Sequence, residues 1–267
     1  MDISEVILAP KYISREYIDG YIKPHMRRFE VTSKLLESAI KPSMQVIDVG
    51  SYGTLVPVLK TLAIKSITVT QPASGCNKQR VTCGLPDAHR GNDYPIHLDR
   101  FDLEGPFPYA DESFDFVLFT EVLEHLAYDP MHTLSEINRI TKTDGYLLVS
   151  TPNCASTKAV FKILMGRNPN FYPAYNRVPS LDRHNREYTP REVRELLHFA
   201  GFNLELFQTA DVYVEKPLAV QAVNLLLSLG SLCTLGAIRR HERGDTIFAL
   251  CRKSGAVSER YPSFLYA

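Results

Sequence analysis

Short apolar, β-branched runs alternate with helix-patterned stretches along most of this chain, and that alternation restricts it to an α/β layer fold. Met44 to Val49 (MQVIDV), Ser66 to Thr70 (SITVT), Phe114 to Thr120 (FDFVLFT) and Tyr146 to Ser150 (YLLVS) read as buried strands. Ile96 to Leu103, Phe202 to Phe207 and Thr246 to Cys251 (TIFALC) complete a set of seven. Strands separated by helices in this rhythm form a mostly parallel sheet covered on both faces. The expected fold is therefore Rossmann-like, with seven strands.

Residues Ser14 to Ile40 read as an N-terminal helical cover interrupted at Pro24. Further helices are expected over Leu55 to Ala63, from Glu121 to Leu126 and over Met131 to Ile140. Thr189 to Ala200 has Thr189 as its N-cap, Pro190 in its first turn and Gly201 closing it. Residues 72 to 95 hold several Gly and Pro positions and read as loop. One domain spans 1–267: a cover over 1–43, a core over 44–154, a lid or substrate insertion over 155–188, the rest of the sheet over 189–255, and a tail over 256–267.

With 30 Lys+Arg against 30 Asp+Glu, the formal net charge is zero, which argues against nucleic acid as the main partner. The five cysteines form no Cys-x-x-Cys pair, so no metal site or disulfide framework is expected. Reduced thiols and an N-terminus without a basic-then-apolar start point to a cytoplasmic protein. Leu218 to Ile238 carries no charge over 21 residues and is followed by Arg239 and Arg240. By length it is a transmembrane candidate, but its polar residues and Gly230 favour packed helices of the domain, with peripheral contact to a membrane or a lipid-linked substrate as the second reading and a true span as the third. Nothing in the sequence fixes the oligomeric state.

The first strand runs into Asp48, Gly50, Ser51, Tyr52 and Gly53, then into a helix. A glycine turn there lets a ligand approach the backbone, at the strand ends where open parallel sheets bind ligands. The dinucleotide fingerprint Gly-x-Gly-x-x-Gly is not met, because only Gly50-x-x-Gly53 is present. A nicotinamide-dependent oxidoreductase is thereby disfavoured.

The stretch from Phe101 to Asn153 carries Pro106-Phe107, Ser113-Phe114-Asp115, Glu121, Leu123, Glu124-His125 and Ser150-Thr151-Pro152-Asn153 in order. In these positions the chain resembles the class I S-adenosylmethionine-dependent methyltransferases, in the branch with an SFD-x-V…E-x-L-E-H phrase. A weaker echo lies in His184 to Phe202. The resemblance implies S-adenosylmethionine as cofactor. It implies that Asp48, Gly50, Ser51, Tyr52 and Gly53 line its methionine part, that Asp102 and Leu103 meet the adenine, and that Thr120 and Glu121 flank the sulfonium. Tyr52 and Thr54 stand where the family's later glycines belong. Gln71 stands in place of the acid that pairs with the ribose hydroxyls, as a neutral amide.

Methyl transfer to a hydroxyl needs a proton acceptor, whereas a neutral amine needs none. His125 and His184 are the candidate bases, with Glu124 behind them. Tyr17, Tyr21, Tyr172, Arg183 and Arg186 are the candidate acceptor contacts, because aromatics and arginines suit a sugar ring, a phosphate or a carboxylate. The family's apolar C-terminal helices and His-x-Arg-Glu-Tyr-Thr phrase favour O-methylation of a sugar, a glycan or a lipid-linked small molecule. N-methylation of an amino sugar or other amine is the alternative. A non-catalytic methyltransferase-like scaffold is the alternative of another class.

Overall fold

The computed structural model describes residues 18–50, 54–72, 79–86, 93–170, 183–212 and 242–267. In chain order its elements are α1 (Met26–Ala39), β1 (Gln45–Asp48), α2 (Val56–Thr61), β2 (Ser66–Pro72), β3 (Gln79–Pro86), β4 (Asp93–Phe101) and β5 (Phe114–Thr120). These are followed by α3 (Pro130–Ile140), β6 (Thr141–Pro152), α4 (Thr157–Leu164), α5 (Pro190–Phe199), β7 (Phe202–Ala210) and β8 (Thr246–Lys253). A π-helical turn (Ile18–Ile22) and a 3-10 turn (Lys23–His25) lead into α1, and Pro24 sits in the latter.

The strands form one eight-stranded sheet in the order β3-β4-β2-β1-β5-β6-β8-β7. Pairs from β4 to β6 are parallel, while β3–β4, β6–β8 and β7–β8 are antiparallel. All seven expected strands are present. The eighth is β3, which lies inside the stretch that composition assigns to loop.

The chain reverses its direction of winding between β1 and β5, which pair in parallel through Val46↔Phe116, Ile47↔Val117 and Asp48↔Leu118. That boundary is the topological switch point, the place at the carboxyl ends of the strands where open α/β sheets bind their ligands. β5 shows how both faces are covered. Val117 and Phe119 join Met131, Leu134 and Ile137 of α3 and Leu196 of α5 in one core. Phe116 and Leu118 join Phe29, Leu35 and Leu36 of α1 and Val58 and Leu59 of α2 in the other. The period of two sends alternate side chains to opposite layers, and each fully buried aliphatic contributes about 1.5–3 kcal/mol.

Helix starts follow local chemistry. At α3 the Asp129 carboxylate accepts the His132 N–H at 3.0 Å ahead of Pro130. At α5 the expected Thr189 cap is a full capping box with Glu192. Gly201 closes α5 at φ +83°, and a Cβ there would lie 2.5 Å from the Gly255 carbonyl oxygen and 2.7 Å from that of Ala256. Gly201→Ala combines left-handed strain with backbone overlap. It is expected to cost at least about 2 kcal/mol and lower Tm by roughly 4–8 °C, read by thermal denaturation. An unchanged melt would show that the α5–tail junction yields freely.

The segment expected to be an irregular lid holds a helix, α4, capped by the Ser156 hydroxyl accepting the Ala159 N–H. Among the described residues no helix is long and apolar enough to cross a membrane. The apolar segment 218–238 lies outside the described residues.

Candidate functional site

β1 delivers Asp48, fully buried, to the switch point. Two residues later Gly50 turns at φ +78°, and its N–H donates to the Thr70 hydroxyl of β2 at 2.8 Å. A Cβ on Gly50 would lie 2.9 Å from Val122 Cγ2 and 3.0 Å from Leu103 Cδ1. The glycine is therefore the place where the segments after β1, β4 and β5 meet. Three of the groups assigned to the cofactor from sequence (Asp48 with Gly50, Asp102 with Leu103, Thr120 with Glu121) are brought to this edge.

Asp102 sits just past β4, where its Oδ1 accepts the Glu104 N–H at 3.0 Å. Leu103 is buried against Gly50, and its carbonyl accepts from the Thr133 hydroxyl. A further acid, Asp99 on β4, is fully buried and accepts from the Tyr109 hydroxyl at 2.7 Å. Ser51, Tyr52, Gly53, Tyr17 and Tyr172 lie outside the described residues. Gln71 is placed as backbone near the end of β2, in register with Arg100.

Directly after β5, Glu121 adopts φ +54°, which a side-chain-bearing residue rarely holds. Three contacts fix it. Its N–H donates to the Ser150 carbonyl at 2.8 Å, its Oε1 accepts from the Ser150 hydroxyl at 2.7 Å, and its Oε2 accepts from Arg28 at 2.9 Å. Both charged side chains of the Arg28–Glu121 pair are largely buried, with 7% and 13% of their surface exposed. Arg28 also donates to the Tyr21 hydroxyl at 2.8 Å. Tyr21 thus reaches the site edge through Arg28, packed beside the His25 ring at 4.5 Å. Burial, and then the Arg28 charge, push the His25 pKa down.

The two histidines put forward as bases meet. A 3-10 turn (Leu123–His125) replaces the expected first helical turn after β5 and presents His125, whose ring lies edge-on to His184 at 4.8 Å. The segment carrying His184 is strapped to this turn by backbone bonds. The Asn185 and Arg186 N–H groups donate to the Glu124 carbonyl, and the Asn185 amide donates to the His125 carbonyl at 2.8 Å. His125 Nδ1 lies 3.0 Å from the Arg183 carbonyl, and His184 Nδ1 lies 2.9 Å from Glu187 Oε1.

Beneath them Glu124 is 1% exposed, with Oε2 accepting from the Thr151 hydroxyl at 2.9 Å. Burial, reinforced by the neighbouring Glu121 carboxylate, raises its pKa well above the carboxylate range. Oxygen or nitrogen atoms of Glu124, His125 and His184 all lie within 4.8 Å of one another.

Of the acceptor contacts expected from sequence, Arg183 supplies its carbonyl to His125. Arg186 is directed to the start of α5, where it donates to Glu192 at 2.6 Å. Arg28 and Asn185 escape the sequence reading, while Ser150, Thr151 and Glu187 appear there only inside family phrases, without a site role. Only Glu187 leaves a local signal there, as the acid three residues after His184.

A family model for the methyltransferase domain matches residues 22–206. The chain is 35% identical over 98 residues to a probable S-adenosylmethionine-dependent methyltransferase of Mycolicibacterium smegmatis. That match covers 37% of this chain and 32% of the relative, so the chain spans about a third of the curated protein it resembles. Two solved structures share the fold. The Haloferax volcanii complex of the Trm112 activator with its putative methyltransferase aligns at a TM-score of 0.57 and 17% identity, over 91% of this chain and 96% of that one. The Burkholderia thailandensis 1,6-didemethyltoxoflavin-N1-methyltransferase, solved with S-adenosylhomocysteine, aligns at 0.52 and 16% identity, over 90% of this chain and 84% of that one. With the sheet order and the residues gathered at its switch point, these matches show that the chain belongs to the methyltransferase-domain family, in its class I, S-adenosylmethionine-dependent form.

Proposed function

We propose that the chain transfers a methyl group from S-adenosylmethionine to a hydroxyl of a small polyhydroxylated acceptor, of the sugar or glycan class. The observation that carries this reading is the convergence of Glu124, His125 and His184 beside the carboxyl ends of β5 and β6. An amine acceptor loses no proton before attack and needs no such cluster, whereas a hydroxyl does. The lipid-linked variant of the acceptor depends on 218–238 and is left to the acceptor screen below.

The residues present fit the cofactor. The left-handed turn at Gly50 admits no Cβ, and buried acids stand at the ends of β1 and β4. Asp48 and the turn after it would hold the methionine part, Asp102 and Leu103 the adenine, and Thr120 and Glu121 the region of the sulfonium. When bound, S-adenosylmethionine supplies an electrophilic methyl carbon on a cationic sulfur. Asp48 and Asp99, buried acids on β1 and β4, give this edge an acidic character suited to a cation. Gly50 and Glu121 fix the two backbone turns that frame it, so the site is shaped before any ligand arrives. His125 and His184 belong to the cluster that would handle the proton of an acceptor hydroxyl.

Calorimetric titration with S-adenosylhomocysteine tests the cofactor assignment directly. Micromolar binding is expected, with Asp102→Ala weaker by about 10–100-fold, the size of a hydrogen bond to a charged group. An absence of heat at millimolar ligand would sink the assignment and favour a methyltransferase-like scaffold. A screen of sugars, glycans, lipid-linked glycans and amines with the wild-type protein then separates the acceptor classes.

A further inference from the structure

Glu124 Oε1 is buried and accepts no hydrogen bond among the described residues, although it stands at the foot of the histidine pair. His125 Nε2 lies 3.9 Å away, too far for a hydrogen bond. An anionic carboxylate in this position costs several kcal/mol unless a positive charge stands beside it. A protonated one would leave its hydroxyl hydrogen without an acceptor, which is also unfavourable.

The histidines are oriented as metal-binding imidazoles are. His125 Nδ1 faces a backbone carbonyl and His184 Nδ1 faces the Glu187 carboxylate, so each Nδ1 carries the proton and donates it. A cation would then be met by Nε2, the ring nitrogen that these two contacts do not use. Metal-bound histidines characteristically donate their other ring nitrogen to a carbonyl or a carboxylate in this way. The Thr151 hydroxyl performs the same service for Glu124 by fixing Oε2.

We propose that Glu124, His125 and His184 bind one divalent cation of the borderline class, such as Mn²⁺, Co²⁺ or Zn²⁺. Two imidazoles and one carboxylate suit these ions better than Mg²⁺ or Ca²⁺, which favour all-oxygen shells. The candidate ligand atoms lie within 4.8 Å of one another, while atoms sharing an ion at about 2.1 Å sit roughly 3.0–3.5 Å apart. Side-chain closure of about an ångström completes the site. The proposal revises the expectation from sequence that the chain holds no metal, which rested on its cysteines.

Three protein ligands leave coordination positions open. In combination with the O-methylation reading, on which this clause rests, the open positions would take the acceptor hydroxyl and a neighbouring oxygen. The ion would then lower the hydroxyl pKa, so that the O–H bond breaks with its proton passing to water and the oxygen keeps the electron pair for attack on the methyl carbon. Glu187 acts as a positioning residue through His184.

The test uses the full chain, stripped with a chelator and titrated by calorimetry with MnCl₂, CoCl₂ and ZnCl₂, with the Co²⁺ visible spectrum as a second readout. One ion per chain at micromolar affinity or tighter is expected. Glu124→Gln is expected to weaken it at least 100-fold, and Glu187→Gln about 10–100-fold. If Glu124→Gln does not fold, His184→Gln carries the same expectation. No binding to the stripped wild type, or equal binding by a correctly folded ligand variant, overturns the proposal. Titration of the same preparations with S-adenosylhomocysteine separates the two readings. Nucleoside binding without metal binding sinks the ion site alone, and metal binding without nucleoside binding sinks the methyltransferase assignment alone.

Discussion

Replacing Arg28 with alanine is expected to destabilise the protein by about 3–5 kcal/mol, lowering Tm by roughly 10 °C. Removing one partner of a buried ion pair strands the other charge, and that stranding dominates the effect. Here the stranded group is Glu121, 13% exposed and held in a left-handed backbone conformation at the end of β5. Ser150 would remain as its hydrogen-bond donor, but a hydroxyl does not neutralise a carboxylate. Tyr21 would lose its guanidinium neighbour in the same step. A double variant, Arg28→Met with Glu121→Gln, removes both charges and is expected to recover most of the loss. Strictly additive losses in that cycle would show that Arg28 acts by packing alone. Because the pair is shielded, the melting difference between wild type and Arg28→Ala is expected to change little between low and high salt.

His125→Ala is expected to lower turnover by about 100-fold or more, with affinity for S-adenosylhomocysteine within about threefold of wild type. The ring is held by the Arg183 carbonyl and lies against His184, so its loss leaves the Gly50 turn and the Leu103 contact untouched. Initial rates on the identified acceptor, measured beside nucleoside binding, check both halves. Full turnover by the variant would remove the histidine cluster from the handling of the acceptor proton.

Strands were legible where the core demanded them. β5 and β6 lie inside the sheet, so their residues must be apolar on both faces, and FDFVLFT and YLLVS announce this directly. β3 was not legible, because an edge strand bonds to one neighbour only and nothing requires its sequence, QRVTCGLP, to be uniformly apolar. The cofactor edge was readable because Asp48, Gly50 and Asp102 belong to compact runs around single turns. Arg28 was hidden for the opposite reason. Its partner lies 93 residues away, and an arginine on an amphipathic helix looks like any solvated cation until the sheet places Glu121 beneath it. Glu124 carried a weak signal only, since its burial depends on the Asn185–Arg186 backbone closing over it.

The position of β8 bears on how the sheet is assembled during synthesis. β7 leaves the ribosome before β8, yet β8 lies between β6 and β7 and bonds to both. Until residues 246–253 are available, β6 presents an open edge and β7 has no strand to join. Cotranslational order can therefore extend only as far as the parallel half around β1 and β5. A nascent chain halted before β8 would expose the apolar margin of β6, where chaperone capture or edge-to-edge aggregation is the competing fate. Completion of the sheet is a single late event, in which one strand seals two edges at once.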